Sequence, residues 1–177
     1  MKKLKLEELN RPDLEVFKAS EKFPVVLVLD NIRSALNVGS LFRTADAFAL
    51  QSIFLCGITA CPPHKEILKT ALGSTHSVDW HYFEHSEDCV KALKEKGYKI
   101  YSLEQTTTSK TLNMDSFIIE EQYAIVLGNE VDGVGEAFLN ASDLILEIEQ
   151  FGTKHSLNVA VCGGIAAFLA VQALKTF

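Results

Sequence analysis

Asn37, Gly39 and Arg43 are the first residues of the chain whose types and spacing could do chemistry. Asn37 is a good helix N-cap, Gly39 would let a ligand approach the backbone, and Ser40 would open the helix that follows. Free amide N–H groups at such a start form an anion site. Arg43, four residues after Gly39, rises on the same helix face and can fork onto a phosphate. The ordinary alternative is a capped helix carrying a solvated arginine, and local spacing leaves both open. The loop lacks a GxGxxG, so a dinucleotide fold has little support.

Two later loops have similar character. In Leu127–Gly135 an apolar run ends at Gly128, where a missing side chain would let the backbone touch a cofactor. Glu130 then sits at the strand mouth, able to orient another group, to accept a proton, or simply to serve as an acidic charge at a helix start. In Ile148–Val161, Gly152 supplies a turn, Ser156 can cap the helix that Leu157 begins, and Asn158 falls in its first turn. Capping explains Ser156 and Asn158 about as well as catalysis does. The adjacent Gly163 and Gly164 cost a helix about 1 kcal/mol each relative to alanine, which suggests close packing, either within the chain or at a dimer interface.

These loops are positioned by alternating strands and helices. Apolar runs at Val25–Leu29, Ser52–Cys56, Val78–Phe83, Tyr98–Leu103, Tyr123–Leu127 and Leu144–Ile148 read as strands. Helical patterns fall at Gly39–Leu50, His64–Leu72, Glu87–Lys96, Gly135–Asn140 and Ser156–Lys175, leaving Asn31–Val38 as a loop. The alternation implies an α/β fold with a mostly parallel sheet and helices on both faces, whose ligands sit beyond the carboxyl ends of the strands. Residues 1–21 read as a short helical extension and 22–177 as the domain.

Bulk properties restrict the reading. The 177 residues are 47% hydrophobic and 23% charged, with a formal net charge of −6. Such a balance argues against nucleic-acid binding by overall field, so any nucleic-acid contact must rest on local positive charge, as at Arg33, Arg43, Lys110 and Lys154. The four cysteines form no CxxC pair, so no metal site is expected and they read as reduced thiols. Met-Lys-Lys is not followed by an apolar signal segment, and the apolar run Val159–Val171 is too short to span a membrane, so a cytoplasmic protein is expected.

Taken together, the three loops resemble the three motifs of the SpoU (TrmH-like) family. Asn37 through Ala45 is similar to the first motif (N-x-G-x-x-x-R-x-A), Gly128-Asn129-Glu130-Val131-Asp132-Gly133 to the second, and Ile148 through Ser156-Leu157-Asn158-Val159 to the third. Order, spacing and a strand before each make the set specific over about residues 22–177. One position departs: Glu149 stands where the family usually has proline, which would stiffen that loop.

The resemblance implies a SPOUT fold with a C-terminal trefoil knot and a homodimer with its active site near the subunit interface. It implies an S-adenosyl-L-methionine-dependent methyltransferase acting on an RNA ribose 2′-hydroxyl. Leu103, Gly128, Ile148 and Leu157 would hold the cofactor, and Arg43, Asn37, Glu130, Ser156 and Asn158 would serve catalysis. The family's proposed base corresponds to Arg43, but a guanidinium hardly deprotonates, so a phosphate grip and support of the developing alkoxide suit it better. His155, beside Ser156, is a weaker candidate base. With an N-terminal extension too short to be an added RNA-binding domain, a tRNA loop is the expected target. Ribosomal RNA is the alternative target, and an RNA-binding relative without catalysis is the alternative class.

Overall fold

The computed structural model describes residues 1–153 and 156–175, with Leu6 and Glu7 described by their backbone alone. Among these residues seven strands form one sheet: β1 (Phe23–Asp30), β2 (Leu50–Cys56), β3 (Trp80–Phe83), β4 (Lys99–Leu103), β5 (Lys110–Thr111), β6 (Tyr123–Leu127) and β7 (Leu144–Glu147). Their order is β3-β2-β1-β6-β4-β7-β5, and every pairing is parallel. Among the described residues six α-helices accompany them: α1 (Leu14–Ala19), α2 (Ala35–Ala47), α3 (Lys65–Ala71), α4 (Ser86–Glu95), α5 (Glu136–Ala141) and α6 (Val159–Leu174).

Period-two alternation divides the core. In β1, Val25, Leu27 and Leu29 face the cluster that also holds Leu41 and Phe42 of α2 and Ala166 and Ala170 of α6. Val26 and Val28 face the opposite cluster, with Cys89 and Leu93 of α4 and Phe138 of α5. A strand covered on both faces must be apolar at consecutive positions, which is why FPVVLVLD and YAIVL read as unbroken runs. β6 lies centrally between β1 and β4, so its carboxyl end opens where the loops from both neighbours converge.

Helix α2 begins four residues before the expected start. Ser34, not Asn37, is its N-cap: the Ser34 hydroxyl accepts a hydrogen bond from the Asn37 backbone N–H at 3.3 Å. Likewise Asn158, not Ser156, caps α6, accepting from the N–H groups of Ala160 and Val161 at 2.9 and 3.4 Å. Strand β5, two residues long at the sheet edge, has no counterpart in the sequence reading.

Gly39 serves packing rather than ligand approach. A Cβ there would overlap the Ile67 carbonyl and the Thr70 hydroxyl of α3. The Thr70 hydroxyl also crosses to α2, donating to Leu36 O at 2.9 Å. Gly39→Ala is expected to destabilise the fold by about 1–3 kcal/mol through overpacking, although alanine is the better helix former by roughly 1 kcal/mol. Urea unfolding checks it; a raised midpoint would mean that helix propensity outweighs the clash. Gly163 of α6 plays a similar part, since a Cβ would lie 2.5 Å from Leu41 Cδ2 and 2.7 Å from Leu127 Cδ1. Gly164 faces open space.

Candidate active site

The loops after β6 and β7 and the start of α2 meet in one hydrogen-bonded network. Glu130 Oε2 accepts from the Arg33 N–H at 2.9 Å, and Oε1 accepts from the Ser34 N–H and from Asn37 Nδ2, both at 3.1 Å. Asn37 Oδ1 in turn accepts from Asn158 Nδ2 at 3.1 Å. Asn37, Glu130 and Asn158, separated by 93 and 121 residues from the viewpoint of Asn37, thus form one chain of contacts. Burial raises the affinity of Glu130 for its proton, but the N–H groups of Arg33, of Glu130 itself, of Asn37 and of Ser34 outweigh it and hold the carboxyl below its ordinary value. A carboxylate so engaged fixes geometry and is a poor proton acceptor.

Beside this network lies a cleft of about 590 Å³. Leu103, Gly128, Ile148 and Leu157 line it, together with Glu130, Ser156 and Asn158. Gly128 is needed by its own loop: a Cβ would overlap the backbone of Gly133 and Val134. The described lining carries four carboxylates, from Glu104, Glu130, Asp132 and Glu147, and no lysine, arginine or histidine. Cys162 also lines the cleft, and burial pushes its thiol up, away from the reactive thiolate. All four cysteines are free, and among the described residues no three His, Cys, Asp or Glu side chains gather to hold a metal ion.

Glu149 is exposed and is absent from the cleft lining, whereas Ile148 and Gln150 on either side contribute to it. The departure from the family pattern therefore points away from the cleft. His155 and Lys154 lie outside the described residues.

Arg43 stands apart from the network. It follows Asn37 by six residues, about 9 Å along the axis and about 120° around it, so the two cannot share a face. Instead it shares the Gly39 face, exposed, in a second cleft of about 530 Å³ with Ser40, Lys69 and Thr70. Within the chain, Arg43 does not meet Asn37, Glu130 or Asn158.

Residues 24–168 match the SpoU rRNA Methylase family. The chain belongs to that family. It is 28% identical over 93% of its length to a 23S rRNA (guanosine-2′-O-)-methyltransferase of Vibrio cholerae, spanning 66% of that protein. It is 32% identical over 81% of its length to a 23S rRNA (guanosine(2553)-2′-O)-methyltransferase of Bacillus subtilis, spanning 56% of it. The chain thus covers less than two thirds of either relative. In fold it is similar to the AdoMet-bound rRNA methyltransferase from Sinorhizobium meliloti, with a TM-score of 0.78 at 23% identity, covering 90% of this chain and 61% of that one.

SpoU membership gives the three loops a common reason to converge. Three further residues, none of them assigned a role from the sequence, secure them. Asn129 Nδ2 donates to Asn31 O at 2.8 Å, Asp30 closes β1, and Glu104 follows β4. Only the position of the two acids at strand ends hinted at a role.

Proposed function

We propose that the chain transfers a methyl group from S-adenosyl-L-methionine to a ribose 2′-hydroxyl of an RNA. The observation that carries this reading is the Asn37–Glu130–Asn158 network standing over the acidic, partly apolar cleft in a SpoU-family chain. Four carboxylates, with no cation among the described lining residues, suit a ligand with a positively charged amine and sulfonium. Leu103, Gly128, Ile148 and Leu157 would hold the cofactor. When bound, it supplies a methyl group on a sulfonium whose departure leaves a neutral thioether.

The chain's residues then have to place the 2′-oxygen and stabilise charge as its proton leaves. Asn37, Ser156 and Asn158 would orient the ribose, with Glu130 holding Asn37. Arg43 would grip a phosphate and steady the developing alkoxide.

The separation of Arg43 from the network supports a homodimer. Along α6, Val161 and Phe168 are 49% and 48% exposed, with the open side of Gly164 between them. This stripe starts at the cofactor cleft, which Asn158 and Cys162 line, and ends at Phe168, which packs on Phe48 of the Arg43 cleft at 6.1 Å between centroids. Pairing two copies of such a stripe about a two-fold axis sets the Arg43 end of one chain against the cofactor end of the other. The knotted C-terminal path belongs to the same proposal: α6 follows β7 yet returns to pack on α2, β1 and β6.

The names of the curated relatives favour ribosomal RNA over the tRNA expected from the sequence. The test is transfer from methyl-labelled cofactor into total RNA, followed by mapping of the modified nucleotide. Label on a ribose is expected, and the mapped position separates rRNA from tRNA. Label on a base, or RNA binding with no label at high protein concentration, would overturn the proposed reaction.

A further inference from the structure

The loop that leaves β6 is held from both flanks by acids at the ends of the neighbouring strands. Asp30, the last residue of β1, accepts from the Gly135 N–H at 2.8 Å through Oδ2. Glu104, immediately after β4, accepts from the Val134 N–H at 2.9 Å through Oε2. Two consecutive amides are therefore taken by two carboxylates, one from each side of the central strand. Asp30 is almost fully buried and also accepts from Ser86 Oγ at 2.7 Å and Asn31 Nδ2 at 2.9 Å. Glu104 is half-buried, lines the cofactor cleft, and is itself anchored, its N–H donating to Leu146 O at 3.0 Å.

The loop has little freedom against this grip. Asn129 and Gly133 exchange two backbone hydrogen bonds of 2.9 Å each, closing a tight hairpin whose turn contains Glu130. Gly133 has φ +73°, and a Cβ there would overlap Glu104 Oε2. The carboxylate thus occupies the space that a side chain at 133 would need. Moving Glu104 would move the hairpin, and with it one wall of the cleft and the carboxylate of Glu130.

We propose that Glu104 is a positioning residue that sets the Gly128–Gly135 loop for cofactor binding, with Asp30 as its buried counterpart. This inference rests on the cofactor reading given above. It predicts an unusual sensitivity to the isosteric change Glu104→Gln. Both carboxylate oxygens accept from amides, Oε2 from Val134 and Oε1 from Gln105 at 2.9 Å. A glutamine amide has one acceptor oxygen and turns N–H against N–H at the other position.

The test combines calorimetric titration of the full chain with S-adenosylhomocysteine and amide hydrogen exchange at Val134 and Gly135. Glu104→Gln is expected to weaken the ligand by about tenfold or more, the scale of one lost charge-assisted hydrogen bond. The Val134 amide should exchange faster, while the melting temperature stays close to that of the parent. Gly133→Ala, which keeps the carboxylate but displaces the hairpin, should give the same pair of changes and serves where Glu104→Gln does not fold. Weakened binding with an unchanged Val134 amide would mean direct ligand contact and overturn the positioning role. Affinity within about twofold of the parent, on this scale no lost bond, would overturn it as well. Failure of the parent chain to bind S-adenosylhomocysteine would instead overturn the cofactor reading, leaving the exchange measurement to judge the clamp.

Discussion

A mixture of Arg43→Ala and Asn37→Ala chains is expected to recover methyl transfer that neither chain has alone. Each substitution removes a different part of the proposed site. Arg43→Ala deletes the cation at the far end of the α6 stripe and should lower turnover by roughly 10²–10³-fold, the usual cost of losing one group that stabilises developing charge. S-adenosylhomocysteine binding should survive, because Arg43 does not line the cleft proposed for the cofactor. Asn37→Ala cuts the link between Glu130 and Asn158 while leaving a good helix former at an α2 position whose side chain is only partly buried. If a site takes its network from one chain and its arginine from the other, a mixed dimer has one intact site and one doubly damaged site. Random exchange of equal amounts then restores about one quarter of the parental sites. If both parts come from one chain, mixing restores none, and the two-chain site is wrong. Near-normal turnover of Arg43→Ala alone would remove Arg43 from the mechanism altogether.

The same geometry explains what could be read in the sequence. β1, β4 and β6 were legible because strands buried on both faces leave apolar runs; β6 matches the expected bounds, and β1 and β4 differ only at their ends. The start of α2 was misjudged for a long-range reason. Asn37 is a better cap by type than its surroundings suggest, but its amide is engaged by Glu130 and Asn158, so Ser34 caps the helix instead. Spacing did place Arg43 on the face of Gly39, yet only the fold reveals that this face meets α3 and not the network. Glu104 and Asp30 were hidden because, beyond their place at strand ends, nothing local distinguishes an acid that holds a distant amide from one that faces water. β5 has two residues, too few for any period. The lining residues Leu103, Gly128 and Ile148 sit where strands end, a position that patterning can reveal, whereas Leu157, just before α6, was implied by the family resemblance alone.

Glu130→Gln is expected to reduce turnover strongly while leaving the shape of the pH–rate profile unchanged. Glu130 takes three N–H donors from the start of α2 on its two oxygens, and one amide oxygen cannot replace them. The loss loosens Asn37 and, through it, Asn158, so a turnover loss of roughly 10²-fold is expected, the scale of a misplaced catalytic geometry. A general-base role makes the opposite prediction about pH: removing the base would delete the acidic limb of kcat/KM. The stability effect has a definite sign. The proton affinity of Glu130 is lowered in the folded chain, so its contribution is complete above the unfolded carboxyl value of about 4.3 and fades as pH falls through the folded value. The parent should therefore exceed Glu130→Gln in urea stability by about 0.5–1.5 kcal/mol at neutral pH, toward the lower figure because the group is exposed to solvent. That gap should close as the pH is lowered below about 4.3. A gap that widens in acid, or a substituted chain with a lost acidic limb, would make Glu130 a proton carrier and not the brace that holds Asn37.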